Sequence, residues 1–246
     1  MQLFASFLLL AVALAHAHAN EAQIAVAANF AAPAQRLAAQ FEQRNGHRVR
    51  LNTGSTGKFY AQIRNGAPFD VLLAADRDTP QRLAEEKRAP GAPFTYAIGK
   101  LVLWSAQPGL VDGEGKVLAT GAFKRLAMAN PKLAPYGRAA EQAMQKLGVR
   151  AALEERIVMG ESIAQAFQFV ASGNAELGFV ALSQLRESAP PGGSAWLVPQ
   201  SHYAPIRQDA VLLAHGEANQ AAREFLEFLR SSAARGLIAR YGYELP

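Results

Sequence analysis

Apolar residues recur along this chain in two alternating rhythms, short buried-type runs and longer stretches with helical spacing. Gln23 to Ala27 (Gln-Ile-Ala-Val-Ala) predicts a first strand. Ala31 to Arg44 then places Ala34, Leu37, Ala38 and Phe41 on one helical face. Asn45-Gly46 ends that helix, because glycine suits the left-handed conformation that closes one. His47 to Leu51 alternates as a second strand, Gly57 to Asn65 predicts a second helix, and Asn65-Gly66 stops it. Val71 to Ala75 predicts a third strand. Asp78 to Glu86 follows as a third helix, with Asp76 or Asp78 available as its cap.

From Phe94 to Ser105 the pattern changes to one long strand-like segment with Gly99 in its middle. Glycine at such a place lets a strand leave one sheet and enter another. The alternation then restarts. Strands are predicted within 123–128, at 155–158, 177–180 and 195–198, and helices at 139–147 and 163–171. Ile206 to Leu213 is a second candidate crossing, and helices at 217–230 and 231–240 follow it. Pro190-Pro191 with Gly192-Gly193 marks a surface loop. The pattern predicts an α/β protein of two lobes with a cleft between them. The first lobe is expected at 20–98 with 207–246 returning to it, and the second at 99–206.

The N-terminus refines this picture. Leu3 to Leu14 is almost wholly apolar, and Ala15-His16-Ala17-His18-Ala19 follows with small residues at alternate positions. That is the layout of a cleavable secretory signal, expected at 1–19, and the run is shorter than the roughly 20 apolar residues of a membrane span. Half of the 246 residues are apolar, enough for a substantial core, and cysteine is absent. Thiolate metal sites, cysteine nucleophiles and a lipidated N-terminal cysteine are therefore excluded. The formal charge of +5 is scattered, with no basic block carrying interleaved aromatics, so no nucleic-acid partner is expected.

Four strand-to-helix junctions share one character. They are Ala27-Ala28-Asn29-Phe30, Thr53-Gly54-Ser55-Thr56-Gly57-Lys58, Asn130 to Gly137, and Gly160-Glu161-Ser162-Ile163. Each sets hydroxyl or amide side chains and free backbone N–H groups at the positive end of a helix, with Asn29 a candidate N-cap. In open α/β sheets ligands sit beyond the carboxyl ends of strands, which is where these junctions fall. Together they form a candidate anion site built without a cation. The second junction is not a P-loop: Asn52 stands in the place of the first glycine and Phe59 follows Lys58.

Several of these segments resemble the periplasmic molybdate-binding proteins of ABC importers. The resemblance is carried by Ala-Ala-Asn-Phe at 27–30, Gly-Ser-Thr-Gly-Lys-Phe-Tyr-Ala-Gln-Ile at 54–63 and Asn-Gly-Ala-Pro-Phe-Asp-Val at 65–71. Ala-Ala-Asp at 74–76, Phe94 to Ser105, Asn-Pro-Lys-Leu-Ala-Pro-Tyr-Gly at 130–137 and Leu-Gly-Phe-Val-Ala at 177–181 continue it in order. The resemblance implies a two-lobed periplasmic binding protein of the Venus-flytrap, type II kind. It implies capture of molybdate or tungstate and delivery to a membrane permease. Another tetrahedral oxyanion such as sulfate or phosphate is the alternative. By position it implies ligand contacts from Asn29, Thr56 with Ser55 beside it, and the backbone N–H groups of Tyr136 and Ile163. These groups would meet the oxyanion's oxygens and not the metal itself. Many members carry Ser in place of Asn29 and Tyr in place of Ala181. Asn29 would offer a longer donor, and the Tyr136 hydroxyl is a candidate substitute for the missing phenol.

Nothing else assembles into chemistry. His47, His202 and His215 have no paired spacing, and Ser162 and Ser183 lack a nucleophile-elbow context. Glu85-Glu86 and Glu154-Glu155 are sequence neighbours that point different ways around a helix. Trp104 and Trp196 read as core or hinge packing. The expectation is a periplasmic, monomeric binding protein with no cofactor and no enzymatic activity.

Overall fold

A computed structural model of the chain describes residues 20–186 and 192–246. The expected leader at 1–19 and the Pro190-Pro191 pair lie outside the described residues. The N-terminal rhythm builds the first sheet. Strand β1 (Glu21–Ala27) pairs in parallel with β2 (Arg48–Gly54) on one side and β3 (Val71–Leu73) on the other. Helices α1 (Ala31–Asn45) and α2 (Thr56–Arg64) link these strands, and α3 (Asp78–Glu85) follows β3. Gly46, at φ 70°, closes α1 in the left-handed region, as its sequence predicts.

The long segment at Phe94–Ser105 is two strands rather than one. β4 (Phe94–Gly99) lies in the first sheet and β5 (Leu101–Ser105) in the second, with Lys100 between them. A side chain at Gly99 would collide with the Tyr136 hydroxyl, so the crossing depends on the missing Cβ. The second lobe then runs through α4 (Val117–Thr120), β6 (Leu126–Ala129), α5 (Pro135–Lys146), β7 (Ile157–Gly160), α6 (Ile163–Ala171), β8 (Leu177–Ala181), α7 (Leu182–Arg186) and β9 (Ser194–Leu197). Helix α5 starts at Pro135, before the apolar spacing that predicted 139–147. Proline fits a first helical position because its missing N–H would be unpaired there. The chain returns through a 3-10 turn at Gln200–His202 to β10 (Ile206–Leu212), and ends in α8 (Gln220–Arg230) and α9 (Ser232–Arg240).

The two sheets have the same plan. Their orders are β2-β1-β3-β10-β4 and β7-β6-β8-β5-β9. Each has three parallel strands, then one antiparallel to them and a fifth antiparallel to that one, so β1 corresponds to β6 and β2 to β7. The corresponding pairs also end level, Ala27 opposite Gly54 and Ala129 opposite Gly160. In each lobe, two strand-to-helix junctions therefore emerge side by side at one edge.

The first sheet is covered on both faces. Ile24, Val26 and Phe30 pack with Leu37, Phe41, Phe225 and Ile238 from α1, α8 and α9. Ala25 and Leu72 point the other way, onto Phe59, Ile63 and Leu83 of α2 and α3. The second lobe has its own core around Leu101, Leu103, Leu126, Met128, Met144, Phe179 and Val180. Trp104 stacks on Phe167 there, with ring centroids 5.0 Å apart. The C-terminal helices thus complete a core begun at the N-terminus, with Phe225 edge-on to Phe41 at 5.4 Å. Phe225→Ala should cost about 3–5 kcal/mol of stability, as expected for deleting a fully buried aromatic side chain. Urea unfolding would measure it, and a loss below about 1 kcal/mol would contradict this packing.

Candidate functional site

Both pairs of level strand ends face each other across the gap between the lobes. The first lobe brings the turn after β1 (Ala27, Ala28, Asn29), the start of α2 (Gly54, Ser55, Thr56) and Ala75 after β3. The second brings the start of α5 (Ala134, Pro135, Tyr136) and of α6 (Ser162, Ile163). Together they line a small cavity of about 10 Å³. On that measure about 10–15 Å³ accommodates a single water-sized centre, so the closed wall leaves room for one small group and no more. All five residues proposed from the sequence (Asn29, Ser55, Thr56, Tyr136 and Ile163) fall in this one wall, which carries no charged side chain.

The donors in the wall are of two kinds. Thr56 Oγ1 accepts the Ala75 N–H at 3.0 Å, which leaves its own proton free to donate. Ser55 holds the cap position of α2 with extended backbone, yet its side chain makes no capping bond. Its Oγ is buried and has no hydrogen-bond partner among the described residues. Such an atom costs about 1–3 kcal/mol when desolvated and unpaired, so its retention here calls for a functional reason. The backbone donors come from helix starts. Pro135 has no N–H, while Gly137 and Arg138 both bond to Ala134 O, leaving Tyr136 N–H unpaired among the described residues. Gly137 lets this start pack onto the end of β6, because a Cβ there would strike the Ala129 carbonyl. At α6, Ser162 Oγ accepts from Gln165 N while Gln165 Oε1 accepts from Glu161 N at 2.7 Å. This reciprocal capping satisfies the groups around Ile163 N–H and leaves that N–H itself unpaired among the described residues.

Asn29 differs from its expected role as a helix cap. It lies inside a single 3-10 turn, Ala28–Phe30, and makes no capping bond. Its Nδ2 donates instead to Gln208 Oε1 and to the Tyr243 hydroxyl, both at 2.9 Å. Both side-chain protons are committed, so the longer side-chain donor is occupied, and the backbone N–H has no partner among the described residues. The Tyr136 hydroxyl turns to the hinge, where it accepts from Gln208 Nε2 at 3.4 Å beside Gly99. Burial raises the ionisation of Tyr96, Tyr136 and Tyr243 above the ordinary phenol range, so all three remain neutral.

Contacts between the lobes flank the cavity. Gly57 N–H donates to Leu133 O at 2.9 Å, Arg138 Nη2 meets Asp76 Oδ2 at 2.7 Å, and Lys58 Nζ meets Glu161 Oε2 at 3.3 Å. Asp76 also accepts the Thr79 N–H at 3.0 Å, the capping role expected of it. Sequence reasoning missed Gln208, Tyr243 and Ser183, a buried polar set behind the wall. Gln208 had one visible signal, an uncharged polar residue in the otherwise apolar half of the Ile206–Leu212 alternation. His47 and His215 bond to Glu224 and Asp70 respectively, as structural groups. Among the described residues no cluster of three or more His, Asp or Glu could hold a metal ion.

Residues 22–244 match the family model described as bacterial extracellular solute-binding protein. The protein named Molybdate-binding protein ModA from Azotobacter vinelandii is 55% identical over 231 residues, 93% of this chain and 92% of that one. Its namesake from Rhodobacter capsulatus is 51% identical over 228 residues, 92% of this chain and 89% of that one. The solved structure titled Azotobacter vinelandii periplasmic molybdate-binding protein superposes with a TM-score of 0.88 at 44% identity, covering 92% of this chain and 99% of the other.

The unpaired Ser55 hydroxyl gives a test of the site. Ser55→Ala should leave the unfolding free energy of the ligand-free protein unchanged or raise it by up to about 1 kcal/mol, because it removes a buried orphan. A clear loss of stability would show that Ser55 Oγ has a structural partner.

Proposed function

The chain belongs to the bacterial extracellular solute-binding proteins, and from that premise we propose that it captures molybdate or tungstate between its lobes and delivers it to the permease of an ABC importer. The observation that carries this reading is the uncharged cavity, toward which buried hydroxyls and unpaired N–H groups are contributed by both lobes. The names of the relatives that are more than half identical over the aligned residues favour molybdate over sulfate or phosphate. The reading assigns ligand contacts to Asn29 and Ile163 through backbone N–H, Ser55 and Thr56 through hydroxyl, and Tyr136 through backbone N–H. The protein acts in the periplasm after removal of the leader at 1–19, as a monomeric carrier rather than an enzyme, and without a cofactor.

The mechanism follows from where the donors sit. A ligand that accepts hydrogen bonds from both lobes binds the closed arrangement better than the open one, and shifts the population by that difference. Neutral donors select by size and by deprotonation of the ligand, because a backbone N–H can only donate and therefore suits an oxygen that carries no proton. The closed form then presents one joined surface to the permease.

Calorimetric titration with molybdate, tungstate, sulfate and phosphate tests the proposal. Strong uptake of the first two with weak uptake of the others is expected, and no response to either group-six anion would overturn it. Affinity should be flat between about pH 6 and 9, because no group in the wall titrates there and burial moves the phenols further up. Gly57→Ala provides a steric test. Its Cβ would lie 3.0 Å from Leu133 O of the opposite lobe, so it should hold the cleft apart. The same change favours helix α2 by up to about 1 kcal/mol. Ligand affinity should therefore fall while the free protein becomes no less stable, a pair of outcomes measurable by titration and thermal unfolding.

A further inference from the structure

Behind the cavity wall a set of polar side chains is buried between the lobes, with Tyr243 at its centre. The Tyr243 hydroxyl lies 2.8 Å from the Asn29 carbonyl oxygen, 3.0 Å from Ser183 Oγ and 2.9 Å from Asn29 Nδ2. Ser183 Oγ donates to that same carbonyl at 2.8 Å. Asn29 and Tyr243 belong to the first lobe, whereas Ser183 stands in α7, after the last parallel strand of the second. The flanking residues reinforce the link. Gly242, at φ +83°, packs against Leu182, and a Cβ there would come 2.7 Å from a Leu182 methyl. Glu244 exchanges two backbone hydrogen bonds with Ile98, at 2.8 and 3.0 Å, and meets Lys100 Nζ at 2.6 Å. Residues 242–244 therefore connect the lobes without covalent continuity, beside the two places where the chain itself crosses.

Asn29 is fixed from a second side. A register shift between Gln208 and Asp209 in β10 accompanies the fully buried Gln208 side chain. Gln208 accepts from Asn29 and faces the hydroxyl of Tyr136 from the second lobe. Two chains of contact from the second lobe, one through Ser183 and Tyr243 and one through Tyr136 and Gln208, converge on Asn29.

We propose that Tyr243 is a positioning residue that couples closure of the lobes to the geometry of the ligand cage, by tying Ser183 of one lobe to both the carbonyl and the side-chain amide of Asn29 in the other. Moving the second lobe away withdraws Ser183, loosens the 3-10 turn that carries Asn29 and so misaims its unpaired N–H. Closing re-forms the set and locks that donor toward the ligand. The inference rests on the reading of Asn29 as a ligand contact.

The test is molybdate titration and release kinetics on the wild type, Tyr243→Phe, Ser183→Ala and the double variant, with thermal unfolding of each free protein. Solution scattering of the free and loaded forms is measured alongside. Each single variant should bind about tenfold more weakly, mainly through faster release, which is the scale of one buried hydrogen bond. The double variant should lose about as much as the worse single one, because both act through one contact set. Scattering should show the loaded Tyr243→Phe protein less compact than the loaded wild type. Wild-type affinity in both single variants, losses that simply add, or a fall in melting temperature with unchanged release would overturn the coupling. A wild type that takes up no molybdate would overturn the ligand reading and this inference with it.

Discussion

The structure turns on one constraint: polar donors left unpaired in a closed space need a partner, and here both lobes bring them to the same space. Buried backbone N–H groups are almost always satisfied, and an unsatisfied donor costs free energy comparable to a lost hydrogen bond. The cavity wall nevertheless holds a Ser55 Oγ and the N–H groups of Tyr136 and Ile163 at helix starts, none with a hydrogen-bond partner among the described residues. On the proposed reading, an anion entering that space removes the cost on every donor at once, and the helix dipoles add a favourable potential of the right sign. No positive side chain is required. Its absence from the wall keeps the site from holding every passing anion, and desolvation is compensated only for a ligand whose oxygens meet the donors.

The repetition of one sheet plan in two lobes explains how those donors come together. In each sheet the second-ranked strand and its edge neighbour end in register, so each lobe presents two adjacent helix starts or turns. Bringing the lobes face to face puts two sets of donors around one point. Glycines allow the final approach: Gly57 against Leu133 between lobes, and Gly137 against Ala129 within the second. The ion pairs at the cleft margins, Lys58–Glu161 and Arg138–Asp76, contribute less. The first is exposed on both sides, and pairs of that kind are worth about 0–1 kcal/mol. Asp76 is mostly buried, but its carboxylate already serves the α3 start through Thr79 N–H.

Much of this is legible in the chain itself, for a local reason. Strand-to-helix junctions show as a change of apolar period, and Ser55, Thr56, Tyr136 and Ile163 each stand within a residue or two of such a change. Asn29 lies in the wall but makes no capping bond, since a cap and a buried clasp use the same residue type and differ only in what lies nearby. Its partners Gln208 and Tyr243 are 179 and 214 residues away, and Ser183, which bonds its carbonyl, is 154 away. No periodicity reports contacts at that separation. The division of Phe94–Ser105 between two sheets is legible for a local reason too, because Gly99-Lys100 interrupts the apolar run at the point where the partner strands change.

The hidden contacts bear on energetics as well as on geometry. A two-lobed binder responds to its ligand only by the difference in affinity between open and closed forms, and a closed form already too stable would leave little to respond with. A wide apolar interface would push toward that limit. The lobes here meet through small apolar contacts, Ala27, Ala28 and Ala75 against the second lobe's cluster and Gly242 against Leu182, together with single hydrogen bonds, two marginal ion pairs and a small buried polar set that is satisfied when closed. Each hydrogen bond is worth only about 0.5–1.5 kcal/mol net, because opening returns it to water. The polar contacts therefore specify the closed geometry closely while holding it weakly. That combination leaves the decision between open and closed to the ion.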